Sequence, residues 1–119
     1  MPRLRHRRLD CSPGCAVEAT LALIDGKWKG VVLYHLLGGT LRFNELRRRA
    51  ASCTQRMLTT QLRELEADGL LTRKIYAEVP PRVEYSLTER GRSLEPILLA
   101  LKAWGDANAM PPASAEQAA

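Results

Sequence analysis

The sequence predicts a mainly α chain carrying a small antiparallel β-hairpin, and three observations support this. Before residue 70, apolar side chains recur at i, i+4, i+7 in separate short stretches, the spacing of amphipathic helices. Over residues 70–76 and 83–87 the pattern becomes that of strands, rich in β-branched and aromatic residues. Between those segments lies Val79-Pro80-Pro81-Arg82, a turn stiffened by its two prolines.

In chain order, residues 1–14 read as a basic flexible arm, punctuated by Pro2, Pro13 and Gly14. A helix begins at Cys15 with Val17, Leu21 and Ile24 along one side, and Asp25-Gly26 interrupts it. A second runs from about Lys27 to Leu37, with Trp28, Val31, Val32, His35 and Leu36 on or near one face. Gly38-Gly39 stops it, as residues tolerant of positive φ do. Leu41-Arg42 has room for one bridge of a strand. A third helix spans Phe43 to about Ala50, with Phe43 and Leu46 facing inward. Thr54 can cap a fourth, about 55–68, held by Leu58, Leu62 and Leu65 and ended by Gly69. Only a few residues join these last two helices, the connection expected of a helix-turn-helix.

After the hairpin, Thr88 can cap a final helix of about 89–108. Pro96 inside it predicts a kink or a restart near Ser93. Residues 109–119 read as a flexible tail, which leaves 15–108 as one domain. Helix, helix, short strand, helix, tight turn, helix and hairpin is the order of a winged helix-turn-helix.

The chain has 119 residues, 45% apolar and 26% charged, a globular balance for one domain with a modest core. No apolar run approaches the ~20 residues of a bilayer span, and no secretory leader follows the Arg-rich start. A cytoplasmic location is expected. The net charge is +5, unevenly placed: +3 over residues 1–10, +4 over 42–74 and −2 over 75–119. A polyanion is expected to dock where the positive charge is concentrated.

The fourth helix fits that partner. Opposite its leucines it carries Gln55, Arg56, Thr59, Thr60 and Arg63, following Thr54. Arginine can donate two bonds to guanine and glutamine can pair with adenine, so this face suits the major groove of duplex DNA. Glu64, Glu66 and Asp68 follow, which restricts contact to the first half of the helix. Arg73, Lys74 and Arg82 on the hairpin suit the phosphate backbone or the minor groove. Arg42 and the run Arg47, Arg48, Arg49 suit phosphates at the groove edge.

No Gly-rich phosphate loop, His-Glu metal pair or Ser-His-Asp spacing is present, so no enzyme and no cofactor are expected. An enzyme would need Cys15 as nucleophile with His35 or His6 as base, and neither is placed for it. Cys11 and Cys15 with His6 lack a fourth zinc ligand, so no metal is expected. The alternative to DNA binding is a winged-helix module that binds protein and senses no redox signal. Such a module has no need of Gln55, Arg56 and Arg63 on one face.

Several separated blocks resemble one family. They are Cys15-Ala16-Val17-Glu18, Ile24-Asp25-Gly26-Lys27-Trp28-Lys29, Leu36-Leu37-Gly38-Gly39, Arg42-Phe43-Asn44-Glu45-Leu46-Arg47 and Gln55-Arg56-Met57-Leu58. Gln61 to Leu70 and Val79 to Thr88 continue the match. In order and spacing these resemble the HxlR-type regulators, relatives of MarR, over about residues 15–108. The resemblance implies a dimeric transcription regulator on palindromic operators, with its first and last helices at the dimer interface. It also implies a response to electrophiles or oxidants, as in several relatives. Thr54 stands where serine is usual, and Cys11 precedes the cysteine that matches the family.

The last helix independently points to a homodimer. Leu94, Ile97, Leu98, Leu101 and Trp104 form a stripe wider than one small domain can cover, next to Val17 and Leu21 of the partner. Two recognition helices would then lie roughly 34 Å apart, one turn of DNA. Of the three cysteines, Cys15 is at a helix N-terminus with Arg7 and Arg8 upstream, which favours thiolate, while Glu18 opposes it. The resemblance makes Cys15 the candidate redox sensor, and Cys11 and Cys53 are the other candidate redox-sensing residues; a small packing residue is the other reading of Cys15. Cys53 either packs or, if modified, shifts the helix that follows it. An odd count argues against a structural disulfide framework.

Overall fold

The computed structural model describes residues 14–111. Among them the elements are α1 (Cys15–Ile24), α2 (Lys29–Leu36), β1 (Leu41–Arg42), α3 (Phe43–Arg49), α4 (Gln55–Ala67), β2 (Leu71–Tyr76), β3 (Arg82–Leu87), α5 (Glu89–Arg92) and α6 (Glu95–Asn108). The fold is a winged helix-turn-helix: α3 and α4 form the helix pair, and β2–β3 form the wing. The expected arm (1–14, apart from Gly14) and most of the tail (from 112) lie outside the described residues. None of these helices is long and apolar enough to cross a membrane.

The leucines of α4 decide where it sits. Leu58, Leu62 and Leu65 are buried with Leu46 of α3 and Val32, Leu33 and Leu36 of α2. Thr54 Oγ1 accepts the Met57 N–H at 3.1 Å and so satisfies one of the first-turn donors. At the other end Gly69 has φ +77°. Leu70 N–H donates to Leu65 O and Gly69 N–H to Glu66 O, the Schellman pattern, with Leu65 and Leu70 both buried. That stop sends the chain directly into β2.

The sheet is antiparallel in the order β1-β3-β2, with Leu71↔Leu87 at the wing base and Tyr76↔Arg82 near its tip. β1 pairs Leu41↔Tyr85 and Arg42↔Glu84, anchoring the wing to the start of α3. Thr88 closes the unit. Its hydroxyl donates to Gly69 O at 2.6 Å and accepts from Gly91 N–H at 3.0 Å, while its N–H donates to Leu70 O. The restart expected from Pro96 occurs between α5 and α6, with proline in the first turn of α6, where its missing N–H is harmless.

Three expectations need correction. Leu94 and Leu98, assigned to the dimer interface, are 8% and 3% exposed and belong to the core of their own chain. They mark the inward side of α6, whereas Ile97, Leu101 and Trp104 remain on its exposed side. In α2 the inward set is Lys29, Val32, Leu33 and Leu36, at i, i+3, i+4, i+7, and Val31 is at the surface. Arg82, read as part of the turn, is the first residue of β3.

Candidate nucleic-acid interface

The outer face of α4 presents Gln55, Arg56, Thr60 and Arg63 in the open, with Thr59 half-buried towards the wing. Thr59 and Thr60 donate their hydroxyl protons to the carbonyls of Gln55 and Arg56, at 2.9 and 3.0 Å. Those bonds tie both hydroxyls to the helix's own backbone. Thr54, also exposed, has its hydroxyl oxygen engaged as the cap. Met57, not among the expected contact residues, is exposed beside this face, with Gln61 Nε2 3.9 Å from its sulfur.

Two grooves flank the helix pair. One, of about 230 Å³, is lined by Gln55, Thr59, Arg63, Arg73 and Tyr85 and separates α4 from the wing. Burial pushes the Tyr85 phenol above its ordinary value, outweighing the nearby Arg73 cation. The larger, about 750 Å³, lies between the start of α3 and the wing tip and gathers Arg42, Arg48 and Arg82. Arg47 and Arg49 are not in it: Arg47 acts electrostatically on Cys53, and Arg49 lies beside His35.

The cations divide into two groups. Arg73 pairs with Glu66 of α4 at 3.5 Å. Arg82 pairs with Glu78 at 3.3 Å and Glu84 at 3.6 Å and stacks over Tyr76 at 4.0 Å. Its Nε is buried without a hydrogen bond. Among the described residues, Arg42, Arg47, Arg48, Arg56, Arg63 and Lys74 are in no ion pair. Lys74 rests over the Tyr76 ring at 4.8 Å and is exposed. Side chains already paired resist phosphate approach less than a bare carboxylate would, but they also offer less positive charge.

Away from α3 and α4, Val17, Leu21, Ile97, Leu101 and Trp104 are exposed, Trp104 at 65%. A groove of about 400 Å³ between α2 and α6, with Ile24, Val31, Tyr34 and Leu101 in its lining, adds to the apolar surface. Cys15, the first residue of α1, is buried and disulfide-bonded, and its partner is not among the described residues. Cys11 and His6 lie outside the described residues. Cys53 is free and buried in the turn before α4; burial pushes its thiol up against the pull of Arg47 and Lys27.

The HxlR-like helix-turn-helix family profile matches residues 23–113. The chain belongs to this family. It is a transcriptional regulator of HxlR type, and no enzymatic family is indicated. Among its HxlR-type relatives, the "Uncharacterized HTH-type transcriptional regulator YybR" of Bacillus subtilis (strain 168) is 63% identical over 95 residues, which is 80% of this chain and 76% of YybR. The structure of the redox regulator HypR in its oxidised form superposes with TM-score 0.77 at 61% identity, covering 82% of this chain and 100% of that one. HypR in its reduced form gives 0.76 at 62% identity, covering 78% and 92%.

Proposed function

We propose that this HxlR-type regulator binds duplex DNA as a homodimer, one α4 per half-site of a palindromic operator, and that its binding responds to oxidants through Cys15. The observation that supports it most is the outer face of α4, where exposed Gln55, Arg56, Thr60 and Arg63 stand opposite three buried leucines, with both arginines unpaired. The first residues of α4 lead into the major groove, where Arg56 and Gln55 read base edges. Arg42, Arg47, Arg48 and Lys74 neutralise phosphates on either side, and Arg73 and Arg82 brace the wing that carries Lys74. Val17 and Leu21 of one protomer cover Ile97, Leu101 and Trp104 of the other.

The redox part of the reading draws on HypR, a redox regulator in both of its forms, and on the disulfide at Cys15. Cys53, protonated and enclosed, serves packing in this state. Footprinting on the source genome's DNA, with and without diamide, tests both parts. Protection of paired half-sites that changes on oxidation is expected. Cys15→Ser should retain the footprint and lose the change. An unaltered diamide response in Cys15→Ser overturns the sensor role, and binding without steep salt dependence overturns DNA as the partner.

A further inference from the structure

Lys29 is 2% exposed, beneath the helix pair rather than on the DNA-facing side. Its Nζ lies 2.6 Å from Glu64 Oε1 of α4 and 3.8 Å from Asp25 Oδ1, the residue that ends α1. Local helix physics accounts for neither charge. Lys29 opens α2, where the macrodipole disfavours a cation, and Glu64 is in the last turn of α4, where it disfavours an anion. Each charge is tolerable there because the other is present. Buried pairs of this kind seldom add net stability over an apolar replacement, but they fix geometry in a way that apolar contact does not.

The geometry concerned is the rotation of α4 about its own axis. Leu58, Leu62 and Leu65 set how deeply the helix sits, and leucine packing alone admits small rotations. Glu64 and Glu66 project about 200° apart at 100° per residue. Glu64 is tied to Lys29 of α2 on one flank and Glu66 to Arg73 of the wing on the other. A rotation of ~15° would carry a side-chain tip ~6 Å from the axis through roughly 1.5 Å, more than a base-reading contact tolerates.

We infer that Lys29 is a positioning residue for α4: its ammonium, held between Glu64 and Asp25, sets the angle at which Gln55, Arg56, Thr60 and Arg63 are offered to DNA. This deepens the DNA-reading proposal above and rests on it. It also assigns the acidic end of α4 a use. Glu64 and Glu66 are anchors, matched by the chain's own cations.

The test compares full-length wild type with Lys29→Met, Glu64→Ala and the double variant Lys29→Met/Glu64→Met, which removes the buried pair together and leaves Asp25, half exposed, to the solvent. The probes are the duplex that wild type enriches from a random pool and a scrambled duplex of the same length, at fixed salt. In parallel, amide residual dipolar couplings of residues 55–63 report the orientation of α4 against α2. The double variant is expected to keep a cooperative melt near that of wild type and its affinity for the scrambled duplex. Its preference for the enriched duplex should fall at least tenfold, and its α4 couplings should depart from the wild-type orientation. Preference within twofold of wild type, with unchanged couplings, overturns the inference. Glu64 is a third exposed, so Glu64→Ala carries the same readouts should the double variant not fold. Failure of wild type to enrich any sequence would overturn the DNA-reading proposal, and the couplings would still decide whether Lys29 sets α4.

Discussion

Arg56 and Arg63 stand two turns apart on α4, both exposed and in no ion pair, so either guanidinium can meet a base without first leaving a carboxylate. Arg56→Ala should cost about 1–3 kcal/mol of discrimination at one operator position, read as altered base preference in a selection experiment. Lys74→Ala should instead weaken all duplexes alike and lower the log–log salt slope by about 1. Equal effects of both on every sequence would remove the division of roles. His35 gives a prediction of a different kind. Burial, helped by the neighbouring Arg49 cation, lowers its pKa below the ordinary 6.5. The folded chain therefore binds that proton less readily than the unfolded chain. The stability concerned is fully present above pH 6.5 and is lost as pH falls through the lowered value. Urea midpoints of wild type should fall relative to those of His35→Gln between pH 7.5 and 5; parallel curves would contradict this.

At the scale of elements, the sharp boundaries are chemical. A Cβ on Gly91 would collide with the Leu70 carbonyl oxygen, because α5 starts directly against the base of the wing. Gly91→Ala should destabilise the fold by about 1–3 kcal/mol in denaturant titration, since the obstacle is backbone. Most of these boundaries were legible in the residues alone: Thr54 as cap, Gly69 as stop, the diproline turn, and the break that Pro96 imposes. What stayed hidden depends on partners distant in sequence. Nothing in the sequence around Lys29 marks it as buried until Glu64, 35 positions later, is known to reach it. Arg82 reads as a free wing cation until β3 places it across from Tyr76 and beside Glu84. Leu94 and Leu98 share a periodic pattern with Leu101, and periodicity alone does not say which of two apolar sides the chain itself covers.

For the whole molecule, the apolar side chains left in the open are where the proposed dimer would seat its second copy. Val17, Leu21, Ile97, Leu101 and Trp104 are exposed on α1 and α6, while the polar face of α4 is carried on a different element. Leu101→Lys/Trp104→Lys should convert a dimer to a monomer in sedimentation while leaving the far-ultraviolet dichroism unchanged. A dimer that survives both substitutions would move the interface elsewhere. The monomer should also bind operator DNA far more weakly, because two linked half-site contacts become one.

The Thr88 hydroxyl joins the end of α4, the root of the wing and the start of α5 at a single oxygen. Two tines forged onto one shank can be swung but not spread. On the proposed palindromic operator, adjustment of the distance between half-sites is therefore expected behind that shank, at the Ser93–Leu94 joint or between the two copies, rather than by opening the fork itself.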